Sequence, residues 1–184
     1  MKKLLLTSFF LGIFSLGYAQ LTLTMNGFRN ESDTTLASVV HKFPNQNADE
    51  IYTKALAALN RYRSSEIRTK EILLSPGASI FVSGESEVLG IKGVTVYAIY
   101  AVSFDFKDGA MKYSVDNIKF DAKGSGGELY KVVDKYKGKN FSYKKSVWSE
   151  NGTLVDPEGK KVIEDFYNGF LEHVLSEIED WERW

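Results

Sequence analysis

The feature that most constrains the fold is a long run of alternating apolar and polar residues that ends in a tight-turn signal. The run covers residues 94–106, and its apolar members on one parity are Val94, Val96, Tyr100, Val102, Phe104 and Phe106. Such alternation is typical of a strand with one buried face. Asp108-Gly109 follows and supplies the positive φ angles of a tight reversal. The pattern predicts a long β-hairpin whose second strand continues the apolar face through Met111, Tyr113 and Val115.

The second strand of this hairpin changes parity partway along its length. Val115 ends the first apolar series, whereas Ile118 and Phe120 begin another series on the opposite parity. An extra residue inserted into one strand of an antiparallel pair produces such a change. The sequence therefore predicts a β-bulge near Asp116 and Asn117.

Shorter strands are predicted before the hairpin. They cover residues 21–25, 36–43, 71–74 and 79–83, and a polar loop covers residues 26–35. Pro44 ends the second of these strands, because proline has no N–H to donate to a neighbouring strand. Residues 122–149 are less regular, and within residues 123–149 we predict a Lys/Tyr-rich insertion.

A first helix is predicted over residues 48–63. Asn47 and Glu50 have the spacing of a capping box, in which each side chain accepts a hydrogen bond from the other residue's backbone. The apolar face of this helix consists of Ile51, Ala55, Leu59 and Tyr62, widened by Tyr52 and Leu56.

A long final helix begins at Asp156-Pro157, because proline fits the first helical position, where no backbone partner is needed. Its apolar residues at helical spacing are Val162, Phe166, Phe170, Val174, Ile178 and Trp181, flanked by Leu171 and Leu175. The predicted order is strand, helix, four antiparallel strands, long helix. This order predicts an α+β fold in a single domain that covers residues 20–184.

The first 19 residues have the pattern of a secretory signal. Lys2 and Lys3 precede an apolar run, and Gly17 and Ala19 are the small residues that a signal peptidase requires. Cleavage is expected before Gln20, and an uncleaved anchor is the alternative. We expect a periplasmic or secreted protein with no transmembrane segment after cleavage.

The composition of the mature chain argues against nucleic-acid binding. Loss of Lys2 and Lys3 leaves 21 basic and 24 acidic residues, a formal charge of −3. Nucleic-acid binding depends on lysine and arginine that neutralise phosphates. The chain has no cysteine, so its stability in an oxidising compartment does not depend on disulfides.

Two stretches resemble a family of exported domains of unknown function with a TBP-like fold, from Gram-negative bacteria of the Bacteroidota type. The first stretch is NGFRNESDTTLASVVHKFPNQNADEIYTKALAALN, in which Gly27-Phe28, Val39-Val40 and Glu50-Ile51-Tyr52 match the family's lead, strand and helix start. The second is WSENGTLVDPEGKKVIEDFYNGFLEHVL, with its Gly-centred turn and FYNGF aromatics. The resemblance implies a TBP-like order of elements, and it implies no activity and no catalytic residues.

His41 lies a few residues before Asp49 and Glu50, a combination that raises the question of an acid–base centre. The pattern places His41 in a strand and the two carboxylates in the first turn of a helix, where they complement the helix dipole. We therefore interpret all three as structural residues.

No catalytic or metal site is predicted elsewhere. His173, the only other histidine, lies far along the chain, and a zinc site needs three or four converging ligands. The glycines of residues 124–127 lack the lysine and threonine of a phosphate-binding loop. We expect no enzymatic activity and no cofactor.

A segment rich in lysine and aromatic residues is the candidate ligand site. Its residues are Tyr130, Lys135, Tyr136, Lys137, Lys139, Phe141, Tyr143 and Lys144. Aromatic faces beside cations could bind sugars or anionic groups of the cell envelope. The alternative is a solvated hairpin whose aromatic residues cover the edge of a sheet.

The functional expectation is an exported, non-enzymatic binding or interaction module at the cell envelope. Its partner is an unknown envelope component or protein. The alternative is a carrier that holds a small apolar ligand in a cavity between the sheet and the final helix. The aromatic content of 14% could fill such a space or line it.

Overall fold

The structure, a computed structural model, describes residues 19–62, 67–91, 94–122, 130–133 and 145–180. The described residues form the strands β1 (Leu21–Thr24), β2 (Gly27–Asn30), β3 (Ser38–Lys42), β4 (Ile67–Ser75), β5 (Ser79–Ile91), β6 (Val94–Lys107), β7 (Ala110–Ala122), β8 (Tyr130–Val133) and β9 (Lys145–Trp148). The helices are α1 (Ala48–Tyr62) and α2 (Pro157–Asp180). The predicted signal lies outside the described residues.

The main sheet is built on five antiparallel strands in the order β4-β5-β6-β7-β3. β8 also pairs with β7, through Phe120 and Tyr130, and β9 runs parallel to β8. β1 and β2 form a separate two-stranded hairpin. The predicted order of strand, helix, four antiparallel strands and long helix is present as β3, α1, β4 to β7 and α2.

The β6–β7 hairpin has the predicted turn and the predicted bulge. Gly109 adopts φ = 72° in the turn, whereas Asp108, for which a positive φ was also predicted, does not have one. Along β6, Ala101 pairs with Asn117 while Val102 pairs with Val115. Asp116 is therefore the extra residue of the bulge.

The capping box of α1 is present. The Asn47 N–H donates to Glu50 Oε2, and the Glu50 N–H donates to Asn47 Oδ1, each at 2.9 Å. The buried residues of α1 are Ile51, Tyr52, Ala55, Ala58 and Leu59, and Leu56 and Tyr62 are partly buried.

α2 begins as predicted, with the Gly159 N–H donating to Asp156 Oδ1 at 3.0 Å, but its buried face is wider than predicted. Phe170, Val174 and Ile178 are buried as expected, whereas Val162 and Phe166 are only partly buried. Leu171 and Leu175, which were predicted to flank this face, are also buried, and the additional buried residues are Gly159, Ile163, Tyr167 and Asn168. Predicted Trp181 lies outside the described residues.

The wider face of α2 results from a second element that packs against it. The β1–β2 hairpin covers one side of the helix, and Phe28 of β2 contacts Tyr167 with a ring-centroid distance of 4.8 Å. The prediction of a loop over residues 26–35 was wrong for Gly27–Asn30, which form β2. The polar sequence did not reveal a strand that is stabilised by packing on a distant helix.

Candidate functional site

The edge of β7 that faces away from β6 is interrupted. β3 pairs with this edge as far as Ser114, and the pairing with β8 is at Phe120. In the described part of the chain, no strand pairs with the residues between these two points. The interval contains the bulge at Asp116.

The alternation of a strand tells which backbone groups face this interval. The Phe43 N–H donates to the Gly109 carbonyl at 2.9 Å, so every second residue from Gly109 onward directs its backbone N–H and C=O toward β3. Val115 belongs to this series. The bulge moves the series by one position, so Ile118 and Phe120 continue it.

A groove of about 280 Å³ lies beside the interval. We call it the edge groove. Its walls are residues 25–29 of the β1–β2 hairpin, Ala37, residues 115–118 of β7 and Val132 of β8. Apolar side chains and polar groups both line the groove, and ligand sites combine the two.

Arg29 is the cation of the edge groove. Its side chain is half-buried, and Nη1 donates to the carbonyl of Phe28 at 3.1 Å. Among the described residues, no carboxylate forms an ion pair with it. Asp116 also lines the groove, but its carboxylate accepts a hydrogen bond from the Ser103 hydroxyl. The guanidinium therefore has donors left for a ligand.

Tyr130 is the only residue of the predicted ligand segment that the structure describes. Its side chain is 2% exposed, and its hydroxyl donates to Asp156 Oδ2 at 3.0 Å. Burial, followed by the negative charge of Asp156 and this hydrogen bond, raises the pKa of Tyr130 above its usual value. Tyr130 thus links β8 to the N-terminal cap of α2. The other predicted residues lie outside the described part: Lys135, Tyr136, Lys137, Lys139, Phe141, Tyr143 and Lys144.

His41 and the two carboxylates occupy the elements that the sequence predicted. His41 is buried in β3, with 8% of its surface exposed, while Asp49 and Glu50 are exposed in the first turn of α1. Burial lowers the pKa of His41, and a backbone hydrogen bond with Ala19 and the charge of Glu179 partly oppose this effect.

The described residues contain no group of three or more histidine, aspartate or glutamate side chains arranged to hold a metal ion. Neither described helix combines the length and the apolar character that a membrane crossing requires.

The space between the sheet and α2 contains aromatic side chains in mutual contact. The Phe170 ring lies 5.1 Å from Tyr62, 6.0 Å from Phe104 and 6.2 Å from Tyr100, between ring centroids. Tyr113 is fully buried there, and its hydroxyl donates to the Tyr167 carbonyl at 3.2 Å. These residues form a packed core in the place where the carrier alternative requires a cavity.

A sheet with both helices on one face and this order of elements defines a TBP-like α+β fold. Two solved structures share it. One is a DUF4468 family protein from Bacteroides ovatus, with a TM-score of 0.54, 17% identity, and coverage of 77% of this chain and 84% of that one. The other is a TBP-like protein from Parabacteroides distasonis, with a TM-score of 0.51, 15% identity, and coverage of 77% and 90%.

No family model matches the sequence, and no curated protein matches it. The expected TBP-like fold and the resemblance to domains of unknown function from Bacteroidota are confirmed by the two solved structures. At these identities the likeness establishes the fold alone, and function has to be argued from the site.

Proposed function

We propose that the protein is an exported, non-enzymatic binding module whose edge groove holds part of a polypeptide component of the cell envelope. The observation that carries the proposal is the interrupted edge of β7, where backbone groups of Val115 and Ile118 lie beside apolar side chains and the cation of Arg29. Export is supported by the signal pattern of residues 1–19.

The size of the groove favours a portion of a larger partner over an enclosed small molecule. Pockets that bury most of a drug-sized ligand have volumes of about 300–1,000 Å³. The edge groove, with about 280 Å³, lies at the lower end of this range and is partly open to solvent. A peptide segment can use such a groove, because the remainder of the partner stays outside it. The packed aromatic core gives no support to the carrier alternative.

In-cell photo-cross-linking tests the binding function. A photoreactive benzoylphenylalanine replaces Asn26, which is exposed and lines the edge groove. The matched control carries the same group at Asn60, an exposed asparagine of α1 that does not line it. We expect a discrete polypeptide adduct from position 26 and none from position 60, and mass spectrometry of the adduct identifies the partner and the linked segment.

Two outcomes contradict the proposal. An adduct at position 60 in the absence of one at position 26 places the contact surface elsewhere. A protein that remains in the cytosol with residues 1–19 attached is not exported; cell fractionation with intact-mass measurement reveals this.

A further inference from the structure

We infer that the edge groove takes a short extended peptide segment by strand addition to β7, with a carboxylate of that segment against Arg29. The inference rests on the binding function proposed above and specifies its ligand. It combines three properties of the same place: a stretch of strand edge with which no described strand pairs, apolar side chains beside it, and a cation that no described carboxylate neutralises.

The length of the interval suits a short strand. An antiparallel strand rises about 3.4 Å per residue, so the stretch from Ser114 to Phe120, with its one bulged residue, measures about 17 Å. Between the ends of β3 and β8 there is room for about three extended residues. The N–H and C=O groups of Ile118 and the C=O group of Val115 face this room, where a strand that lies alongside β7 could bond to them.

The walls of the groove impose an alternation on the peptide. Successive side chains of an extended chain point to opposite faces. One set would meet the apolar side chains of the hairpin and β8, among them Phe28 and Val132. The other set would point to the solvent. An apolar residue at alternate positions is therefore expected, as in other peptides that add a strand to a sheet.

Arg29 selects the charge of the peptide. Its guanidinium has five N–H donors in a planar fork, and one nitrogen already donates to the Phe28 carbonyl. A carboxylate accepts two parallel hydrogen bonds from such a fork, and these charge-assisted bonds are among the stronger ones in proteins. The favoured segment is acidic, with glutamate or aspartate two positions away from an apolar residue, so that both side chains face the groove.

The test uses three synthetic peptides and the ¹⁵N-labelled protein. The first peptide is acetyl-Val-Thr-Glu-Thr-Val-amide, in which both valines and the glutamate share one face. The second has glutamine in place of glutamate, and the third is the first peptide methylated on its central amide nitrogens. We expect the first peptide to shift the amide signals of residues 115–119 and 25–29. The glutamine peptide and the methylated peptide should each bind at least tenfold more weakly.

Variants connect these differences to the proposed contacts. Arg29→Gln should reduce affinity for the glutamate peptide to that for the glutamine peptide, while Arg61→Gln, a change of an exposed arginine on α1, should leave both unchanged. Ala37→Phe places a large ring in the groove wall and should abolish binding. Ala78→Phe, at an exposed alanine in the β4–β5 turn, is its control.

Several results overturn the inference. Equal binding of the glutamate and glutamine peptides would show that Arg29 does not bind the peptide carboxylate. Undiminished binding of the methylated peptide would rule out strand addition to β7. Shifts of the same amides with protein concentration alone identify a second copy of the chain as the occupant. If position 26 forms its adduct in cells but no peptide shifts these amides, strand addition is wrong and the binding function stands. If both experiments fail, both proposals are wrong.

Discussion

At the scale of single residues, His41 shows how burial couples protonation to folding. Its folded pKa is lowered from the usual 6.5, mainly by burial. Between pH 6.5 and the lowered folded pKa, the unfolded chain binds more protons at this residue than the folded protein does. Stability contributed by neutral His41 is therefore fully present above pH 6.5 and decreases as the pH falls.

We expect this dependence in urea unfolding between pH 7.5 and pH 5. The free energy of unfolding should decrease toward the acid end of that range, with a slope of at most about 1.4 kcal/mol per pH unit from one proton. His41→Gln should remove the slope, and His173→Gln should retain it. Asp33, whose pKa is lowered from 3.8 by its hydrogen bonds with Thr35, titrates below this window. A slope that persists in His41→Gln would contradict the assignment.

Tyr130 offers a second residue-scale prediction, which separates a structural role from a ligand-binding role. Tyr130→Phe removes a hydrogen bond to the buried carboxylate of Asp156. Hydrogen bonds to charged groups contribute about 1.5–3 kcal/mol, and we expect a loss of that size in chemical denaturation. Tyr52→Phe is the control, because no described residue bonds to the Tyr52 hydroxyl. Unchanged stability in Tyr130→Phe would favour a role in ligand binding.

At the scale of elements, two phenylalanines of α2 that the sequence pattern predicted on one face differ in their burial. Phe170 is 4% exposed and contacts three aromatic rings, whereas Phe166 is only partly buried. Phe170→Ala should cost about 3–5 kcal/mol, because it removes buried surface and leaves a cavity. Phe166→Ala should cost clearly less. Thermal unfolding measures both, and equal shifts would contradict the packing described for α2.

The elements could be predicted where local patterns determine them. The capping box of α1, the Asp-Gly turn and the bulge at Asp116 all depend on neighbouring residues, and all three are confirmed. β2 was missed because its strand conformation depends on contact with α2, which is far away in sequence.

The edge groove could not be predicted for a related reason. The groove lies beside an open stretch of β7, which results because β3 pairs with this edge only as far as Ser114 and β8 pairs with it at Phe120. No local pattern encodes where two distant strands stop. The change of parity after Val115 was the one available signal, and it located the bulge without revealing the open edge beside it. Arg29 lies in the segment predicted as a loop, and no pattern around it indicated a ligand-binding residue.

At the scale of the whole molecule, the β1–β2 hairpin connects the start of the described chain to its last helix. Asn168 of α2 accepts a hydrogen bond from the Leu21 N–H and donates one to the Leu21 carbonyl, each at 2.9 Å. Glu164 of α2 accepts a hydrogen bond from the Leu23 N–H at 2.7 Å. Because this hairpin is also one wall of the edge groove, the same bonds hold the candidate site in place.

Asn168→Ala therefore tests whether the stability of the fold and the shape of the site depend on the same contacts. The change leaves the buried N–H and C=O of Leu21 without their partner, and we expect a loss of about 2–3 kcal/mol in the free energy of unfolding. Hydrogen exchange at the Leu21 and Leu23 amides should accelerate relative to the exchange of the core strands. Asn60→Ala, on the exposed surface of α1, should change neither quantity. Slow exchange at Leu21 in Asn168→Ala would show that the hairpin is held by its apolar contacts alone, and the edge groove would then keep its wall without Asn168.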